Sequence, residues 1–185
     1  IDACPDSAVL FFDVDGTLTF FDPDDMTDKD FSAVRPSRAV IEAFHRLRDA
    51  GHKAFICTGR PLWLIADSLR ALEPAGIVAM AGATLEVEGR VVHEDCFDED
   101  VIAELARRIS VAGGEALFET NGATYSLEPV GVEQSFLLGA GVVHSVEEMR
   151  VDGRLRVGKV CLNAPNLARV ANDDGFIECN FELCN

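Results

Sequence analysis

Positive charge is scarce in this 185-residue chain. Lys and Arg number 16 against 32 Asp and Glu, a formal net charge of −16 at pH 7. Such a field repels nucleic acid and anionic lipid surfaces, so neither is an expected partner. Long hydrophobic runs are also missing: stretches such as Ala8 to Phe12 and Gly76 to Leu85 fall far short of the ~20 residues of a membrane-spanning helix. No basic segment precedes an apolar one in Ile1-Asp2-Ala3-Cys4-Pro5, so no secretory signal is expected there. A first residue of Ile rather than Met implies a trimmed front.

None of the six cysteines (Cys4, Cys57, Cys96, Cys161, Cys179 and Cys184) forms a C-x-x-C pair. Cys179 and Cys184 have no second pair nearby to complete a zinc site. Scattered in apolar surroundings such as Phe55-Ile56-Cys57, they are expected as reduced, buried thiols in a cytoplasmic protein. A nucleotide-binding P-loop is absent, and Gly139-Ala140-Gly141 lacks the third glycine of a dinucleotide loop. Asp22, Asp24 and Asp28 have calcium-loop spacing, but Thr27 and Ala33 stand where Gly and Glu belong. His45, His52, His93 and His144 are scattered and read as surface or packing residues.

Apolar residues make up 48% of the chain, enough for a buried core. Ala8 to Val14 is a continuous apolar run ending in Asp residues, which predicts a strand covered on both faces. Phe20 to Val34, with its aspartates and Pro23, reads as a long exposed loop. Val40, Ile41, Phe44 and Leu47 share a helical stripe between Pro36 and Gly51. His52 to Thr58 predicts a second strand. A helix carrying Leu62, Ile65, Leu69 and Leu72 is expected after it, opened by Pro61. Ile77 to Met80 predicts a third strand. Strand alternating with helix means right-handed crossovers and a parallel sheet, whose ligands bind beyond the carboxyl ends of the strands.

The texture changes near residue 84. Thr84 to His93 predicts a hairpin turning at Glu88-Gly89, Asp100 to Ile109 an amphipathic helix, and Glu115 to Leu127 a strand pair around Asn121-Gly122. Val157 to Leu162 and Gly175 to Leu183 are further candidate strands. The expected organisation is therefore an α/β core over residues 1–84 and an α+β domain over 85–185.

The chemistry concentrates in Phe11-Phe12-Asp13-Val14-Asp15-Gly16-Thr17-Leu18. Two carboxylates stand two residues apart where a strand ends and Gly16 lets the chain turn. They could bind a hard cation, divide attack and proton transfer between them, or simply cap the strand in solvent. Ile56-Cys57-Thr58-Gly59-Arg60 ends the second strand with a hydroxyl, turn N–H groups and a guanidinium, which together suit an anion. A plain helix-capping role for Thr58 is the alternative.

The D-V-D-G-T-L run after a hydrophobic strand resembles the first signature of the haloacid dehalogenase (HAD) superfamily of phosphohydrolases. That resemblance implies a Rossmann-like parallel core, with Asp13 as nucleophile and Asp15 as the acid that protonates the leaving oxygen and then activates water. It also implies Mg²⁺ held by Asp13 and the Asp15 carbonyl, and phosphate held by Thr58, Gly59 and Arg60. The T-G-R form and the large following α+β segment are similar to the Cof-like branch, whose cap is inserted between its second and third motifs. Ala81-Gly82-Ala83 departs from the Asn-Gly-Ala of many relatives.

The family's third-motif Lys and fourth-motif acidic pair are not recognisable. Lys159 lies inside an expected strand and reads as a cap residue. Asp173 and Asp174 read as a solvated turn. The core is therefore expected to be incomplete in this stretch, which alone would be inactive or nearly so. The resemblance implies a Mg²⁺-dependent phosphatase acting on a small phosphomonoester such as a sugar phosphate. A phosphomutase, or a non-catalytic binding module of the same fold, is the alternative.

Overall fold

The computed structural model describes residues 7–20, 35–128, 139–171 and 175–182. Two compact units emerge, Ile1–Asp95 and Cys96–Asn185. The expected boundary after residue 84 falls eleven residues earlier than the end of the first unit. The intervening hairpin pairs with the third strand of that unit's sheet. The aspartates Asp22, Asp24 and Asp28, the Asp173-Asp174 pair, Cys4 and Cys184 lie outside the described residues.

In the first unit β1 (Val9–Asp13), β2 (Lys53–Cys57) and β3 (Gly76–Ala79) are parallel neighbours. β4 (Thr84–Val87) and β5 (Arg90–Glu94) extend the sheet antiparallel, in the order β1-β2-β3-β4-β5. The hairpin turns at Glu88 and Gly89, both at positive φ (50° and 72°), the backbone that a tight type I′ turn requires. Helix α1 (Arg38–Asp49) forms the first crossover. Its first turn is capped by the Ser37 hydroxyl, which accepts from the Val40 N–H at 3.3 Å, and Arg46 and Arg48 complement its carboxyl end. Val40, Phe44 and Leu47 turn inward, and Phe44 meets Phe12 at 5.2 Å between ring centroids.

Two sequence expectations change in this unit. β1 is not covered on both faces: Val9 and Phe11 are 59% and 60% exposed. A continuous apolar run marks a strand without saying whether other elements reach both its faces. The helix expected after Pro61 is broken into a 3₁₀ turn at Leu62–Leu64 and a short α2 (Asp67–Arg70). Ile65 between them is extended (ψ 109°). Leu62, Ile65, Leu69 and Leu72 are nevertheless all buried. Burial is what the periodic pattern encoded, and two short turns deliver it as well as one helix.

The second unit packs helices on one face of a four-stranded sheet. Its elements are α3 (Glu99–Val111), β6 (Ala116–Glu119), β7 (Thr124–Leu127), β8 (Gly141–Val143), β9 (Lys159–Cys161), α4 (Ala164–Val170) and α5 (Phe176–Asn180). The strand order is β8-β7-β6-β9, with only β7 and β8 parallel. Ala116, Phe118, Leu127 and Val143 share the core with Ile102, Leu105 and Ile109 of α3. The β6–β7 turn is tied by Thr120, whose hydroxyl donates to the Ala123 carbonyl and accepts the Ala123 N–H.

Within the candidate strand Gly175 to Leu183, Phe176–Asn180 is instead the helix α5. Gly175 at φ 71° turns the chain just before it, and Ile177 enters the core.

Gly76 offers a direct test of the packing in the first unit. A Cβ there would lie 2.5 Å from both the Glu86 carbonyl oxygen and a Phe55 ring carbon. Gly76→Ala is expected to cost about 1–3 kcal/mol by overpacking, read as a lowered denaturation midpoint. An unchanged midpoint would show that β2, β3 and β4 do not pack this closely.

Candidate active site

Asp13 is the last residue of β1 and lies in register with Cys57, the last residue of β2. Asp13 and Thr58 therefore stand where adjacent parallel strands end, on the edge where such sheets bind ligands. The loop after Asp13 winds around one carbonyl. Val14 C=O accepts the N–H groups of Leu18 and Thr19, each at 3.0 Å, and the Thr19 hydroxyl at 3.0 Å. Buried Val14 and Leu18 anchor this loop in the core, and Gly16 at φ 85° makes its reversal possible. Asp15 is thus carried on a short, tied loop rather than a free one.

Thr58 is 4% exposed. Its N–H continues the sheet ladder to the Val78 carbonyl at 2.9 Å, and its hydroxyl accepts the Arg60 N–H at 3.2 Å. That leaves the hydroxyl proton to be donated, the role an anion ligand needs.

The turn after β3 clamps the same loop. Met80 N–H donates to the Arg60 carbonyl at 2.9 Å, and Ala81 N–H to the Thr58 carbonyl at 3.1 Å. Met80 and Ala81 both adopt positive φ, 49° and 55°. Such backbone strain persists only where its surroundings over-determine it. Asn, which the family resemblance leads one to expect in place of Ala81, tolerates this conformation better. Sequence reading did not find this clamp, because nothing in Met-Ala advertises a left-handed turn.

The strongest side-chain interaction at this edge joins Asp15 to Arg60. Arg60 Nε donates to one carboxylate oxygen at 3.1 Å and Nη2 to the other at 2.5 Å. The guanidinium is 6% exposed and the carboxylate 43%. The expected place of Arg60 is on phosphate oxygens; here its fork engages a carboxylate. Asp13, by contrast, is exposed, and its carboxylate has no hydrogen bond or ion pair among the described residues.

Mg²⁺ binds hard oxygen ligands and commonly keeps several waters, needing one or two carboxylates besides phosphate oxygens. The Asp13 carboxylate and the Asp15 main-chain carbonyl are donors of that kind, so these residues fit the ion chemically. Among the described residues no group of three or more His, Cys, Asp or Glu gathers as a metal site.

Lys159 belongs to the second unit's sheet, where its Nζ lies 2.8 Å from Glu119 Oε2. Burial works to lower its pKa, but the Glu119 carboxylate outweighs that and holds the ammonium above its ordinary value. Burial pushes the neighbouring Cys161 thiol up. A separate cleft of about 610 Å³, lined by Arg35, Trp63, Leu64 and Asp67 among others, includes none of Asp13, Asp15 or Thr58.

Thr58→Val would remove the acceptor of the buried Arg60 N–H at nearly constant volume. A loss of about 1–3 kcal/mol is expected in denaturant unfolding, with Thr58→Ser retaining most of the wild-type stability. Equal stability of the two variants would mean that the hydroxyl does not tie this loop.

Comparison with known proteins points the same way as the geometry. YkrA, a candidate phosphatase of Bacillus subtilis (strain 168), is 26% identical over 103 residues, covering 56% of this chain and 36% of YkrA. The solved HAD subclass IIB sugar phosphatase BT4131 is 26% identical, with a TM-score of 0.56 over 77% of this chain and 54% of that one. The phosphatase BT1666 from Bacteroides thetaiotaomicron shares the fold at 21% identity and a TM-score of 0.57, over 77% of this chain and 51% of its own. The chain thus spans about half of these two structures and a smaller share of YkrA. The family model for haloacid dehalogenase-like hydrolases matches residues 10–165, from the strand that delivers Asp13 through most of the second unit, and the chain belongs to that family.

Proposed function

We propose that the protein is a Mg²⁺-dependent phosphatase that hydrolyses a small phosphomonoester, foremost a sugar phosphate, with Asp13 as the nucleophile. The observation that carries the reading is the arrangement at one sheet edge. Exposed Asp13 closes β1, Thr58 follows the adjacent end of β2, and Asp15 sits on the tied loop beside a buried guanidinium. Similarity to the sugar phosphatase BT4131 supports the substrate class. In the same reading the second unit, from Cys96 onward, acts as the cap, and the protein is cytoplasmic. No described helix is long and apolar enough to cross a membrane.

Asp13 attacks phosphorus, forming a carboxylate O–P bond as the ester P–O bond breaks. Asp15 gives its proton to the departing ester oxygen. It then takes a proton from water as that water attacks phosphorus, freeing inorganic phosphate and restoring the Asp13 carboxylate. The Thr58 hydroxyl and the main chain at Gly59 hold the phosphoryl oxygens, and Arg60 supplies buried positive charge nearby. Bound Mg²⁺, on the Asp13 carboxylate and the Asp15 carbonyl, would neutralise phosphoryl charge. Such neutralisation matters in a chain of net charge −16, which otherwise repels an anionic substrate.

The test uses the protein as the cell makes it. Turnover of p-nitrophenyl phosphate should require Mg²⁺ and stop with EDTA. Asp13→Asn should lower turnover at least about 10³-fold, because an amide is a poor nucleophile. Acid-quenched reactions with ³²P-labelled substrate should retain label on the wild type and lose it in Asp13→Asn. Label persisting in that variant would assign the nucleophile elsewhere. Phosphoryl transfer to a second hydroxyl rather than water would make the enzyme a phosphomutase, and absence of Mg²⁺-dependent turnover would leave a binding module.

A further inference from the structure

We infer that the cleft lined by Arg35, Trp63 and Asp67 holds the leaving group of the substrate and selects a sugar that carries a second anionic group, carboxylate or phosphate. The inference rests on the phosphatase reading above and deepens it by naming the class of sugar phosphate.

The cleft lies where a helix is broken. The apolar stripe from Leu62 to Leu72 suits one continuous helix, yet the chain is extended at Ile65 (ψ 109°) and Ala66 (ψ 144°). Trp63 stands before the break and Asp67 after it, and both line the cleft of about 610 Å³. That volume is in the range of small-molecule sites, about 300–1,000 Å³. Ile65 and Ala66, both buried, give it an apolar wall. Arg35, just ahead of α1, lines it as well.

The cleft belongs to the same edge as Asp13 and Thr58. The chain that leaves β1 beyond Asp13 reaches Arg35 before α1 begins, and the chain that leaves β2 at Thr58 runs directly into Trp63. Trp63 is three residues beyond Arg60, so chain length alone keeps their Cα atoms within about 11 Å. One small substrate can reach both places.

Charge names the ligand. Arg38, Arg48, Arg60 and Arg70 of this unit each meet a carboxylate. Arg35 and Asp67 line one cleft with opposite charges, yet among the described residues neither side chain has a hydrogen bond or ion pair. A ligand placed between them satisfies both. The guanidinium fork matches a carboxylate or phosphate, and the Asp67 carboxylate accepts from sugar hydroxyls. The half-buried Trp63 supplies aromatic surface for the C–H face of the ring. A neutral sugar would leave the arginine without its match, and Asp67 repels an anionic group from its own side, which fixes the direction in which the sugar lies.

Three esters test this: glucose 6-phosphate, with an uncharged leaving group, 6-phosphogluconate, which adds a carboxylate, and fructose 1,6-bisphosphate, which adds a phosphate. kcat/KM should be about tenfold higher for at least one acidic ester than for glucose 6-phosphate, and which one identifies the second group. Arg35→Gln should remove that preference chiefly through KM, Arg35→Glu should reverse it, and Arg35→Lys should retain part of it. Binding can be read without turnover. In EDTA the preferred ester should change the tryptophan emission saturably, Trp63→Phe should lose that signal, and Arg35→Gln should weaken the binding about tenfold.

Thermal melts identify any variant that fails to fold; should Arg35→Gln do so, Arg35→Lys and the wild-type ester preference carry the test. Equal kcat/KM for the three esters, or a preference that survives Arg35→Gln, would overturn the inference and leave the phosphatase reading standing. So would a Trp63 emission that saturating ester leaves unchanged. Absence of turnover on every ester, p-nitrophenyl phosphate included, would instead overturn the phosphatase reading, and this inference with it.

Discussion

The parallel pairing of β1 with β2 sets where each group at the site stands. Parallel neighbours end on the same edge of a sheet, so the loops that leave them lie side by side. Through this pairing the crossover carrying α1 brings Asp15 and Arg60, 45 residues apart in sequence, into hydrogen-bond contact. Asp13 and Cys57 are in register at the last rung, which makes Asp13 the last residue of its strand and Thr58 the first beyond its own. A shift of one residue would turn each side chain to the opposite face and dismantle the site. The buried contacts of Val14, Leu18 and Ile56 resist such a slip.

Charge is handled differently at this edge than elsewhere. Arg38 with Glu42, Arg48 with Glu73, and Arg107 with Glu104 are exposed pairs, and surface pairs of that kind contribute little stability. Glu104 shows how local such effects are: hydrogen bonds from Arg107 and Arg108 lower its pKa to about 2. Arg60 is the buried arginine among the described residues. Burying a cation without a partner is costly, and a carboxylate with matched geometry offsets that cost. The pair therefore constrains the fold as well as the chemistry: Arg60 can be buried because Asp15 is there, and Asp15 is oriented because Arg60 is buried.

The second unit resolves the question that Lys159 poses. A lysine in a chain poor in positive charge is a tempting catalytic cation. Strand register places it directly opposite Glu119 within its own sheet. The carboxylate keeps it charged and engaged there.

Much of this was legible in the residues themselves. The apolar run ending at Asp13, the Gly after Asp15, and Thr58-Gly59-Arg60 at the end of a second strand announce two strand ends bearing polar chemistry. The stripe between Pro36 and Gly51 announces α1, and Asn121-Gly122 the β6–β7 turn. These features are local, since strand and helix periodicity, capping and turn chemistry all act over a few residues. The break in the helix after Pro61, the helix at Phe176–Asn180 and the exposed face of β1 were not legible. In each case an apolar pattern says what must be buried without saying which backbone path or neighbour does it. The partner of Arg60 belongs to the same class. Its sequence context fits a phosphate ligand equally well, and only the β1–β2 register decided that its fork would meet Asp15, because that choice depends on a contact across 45 residues.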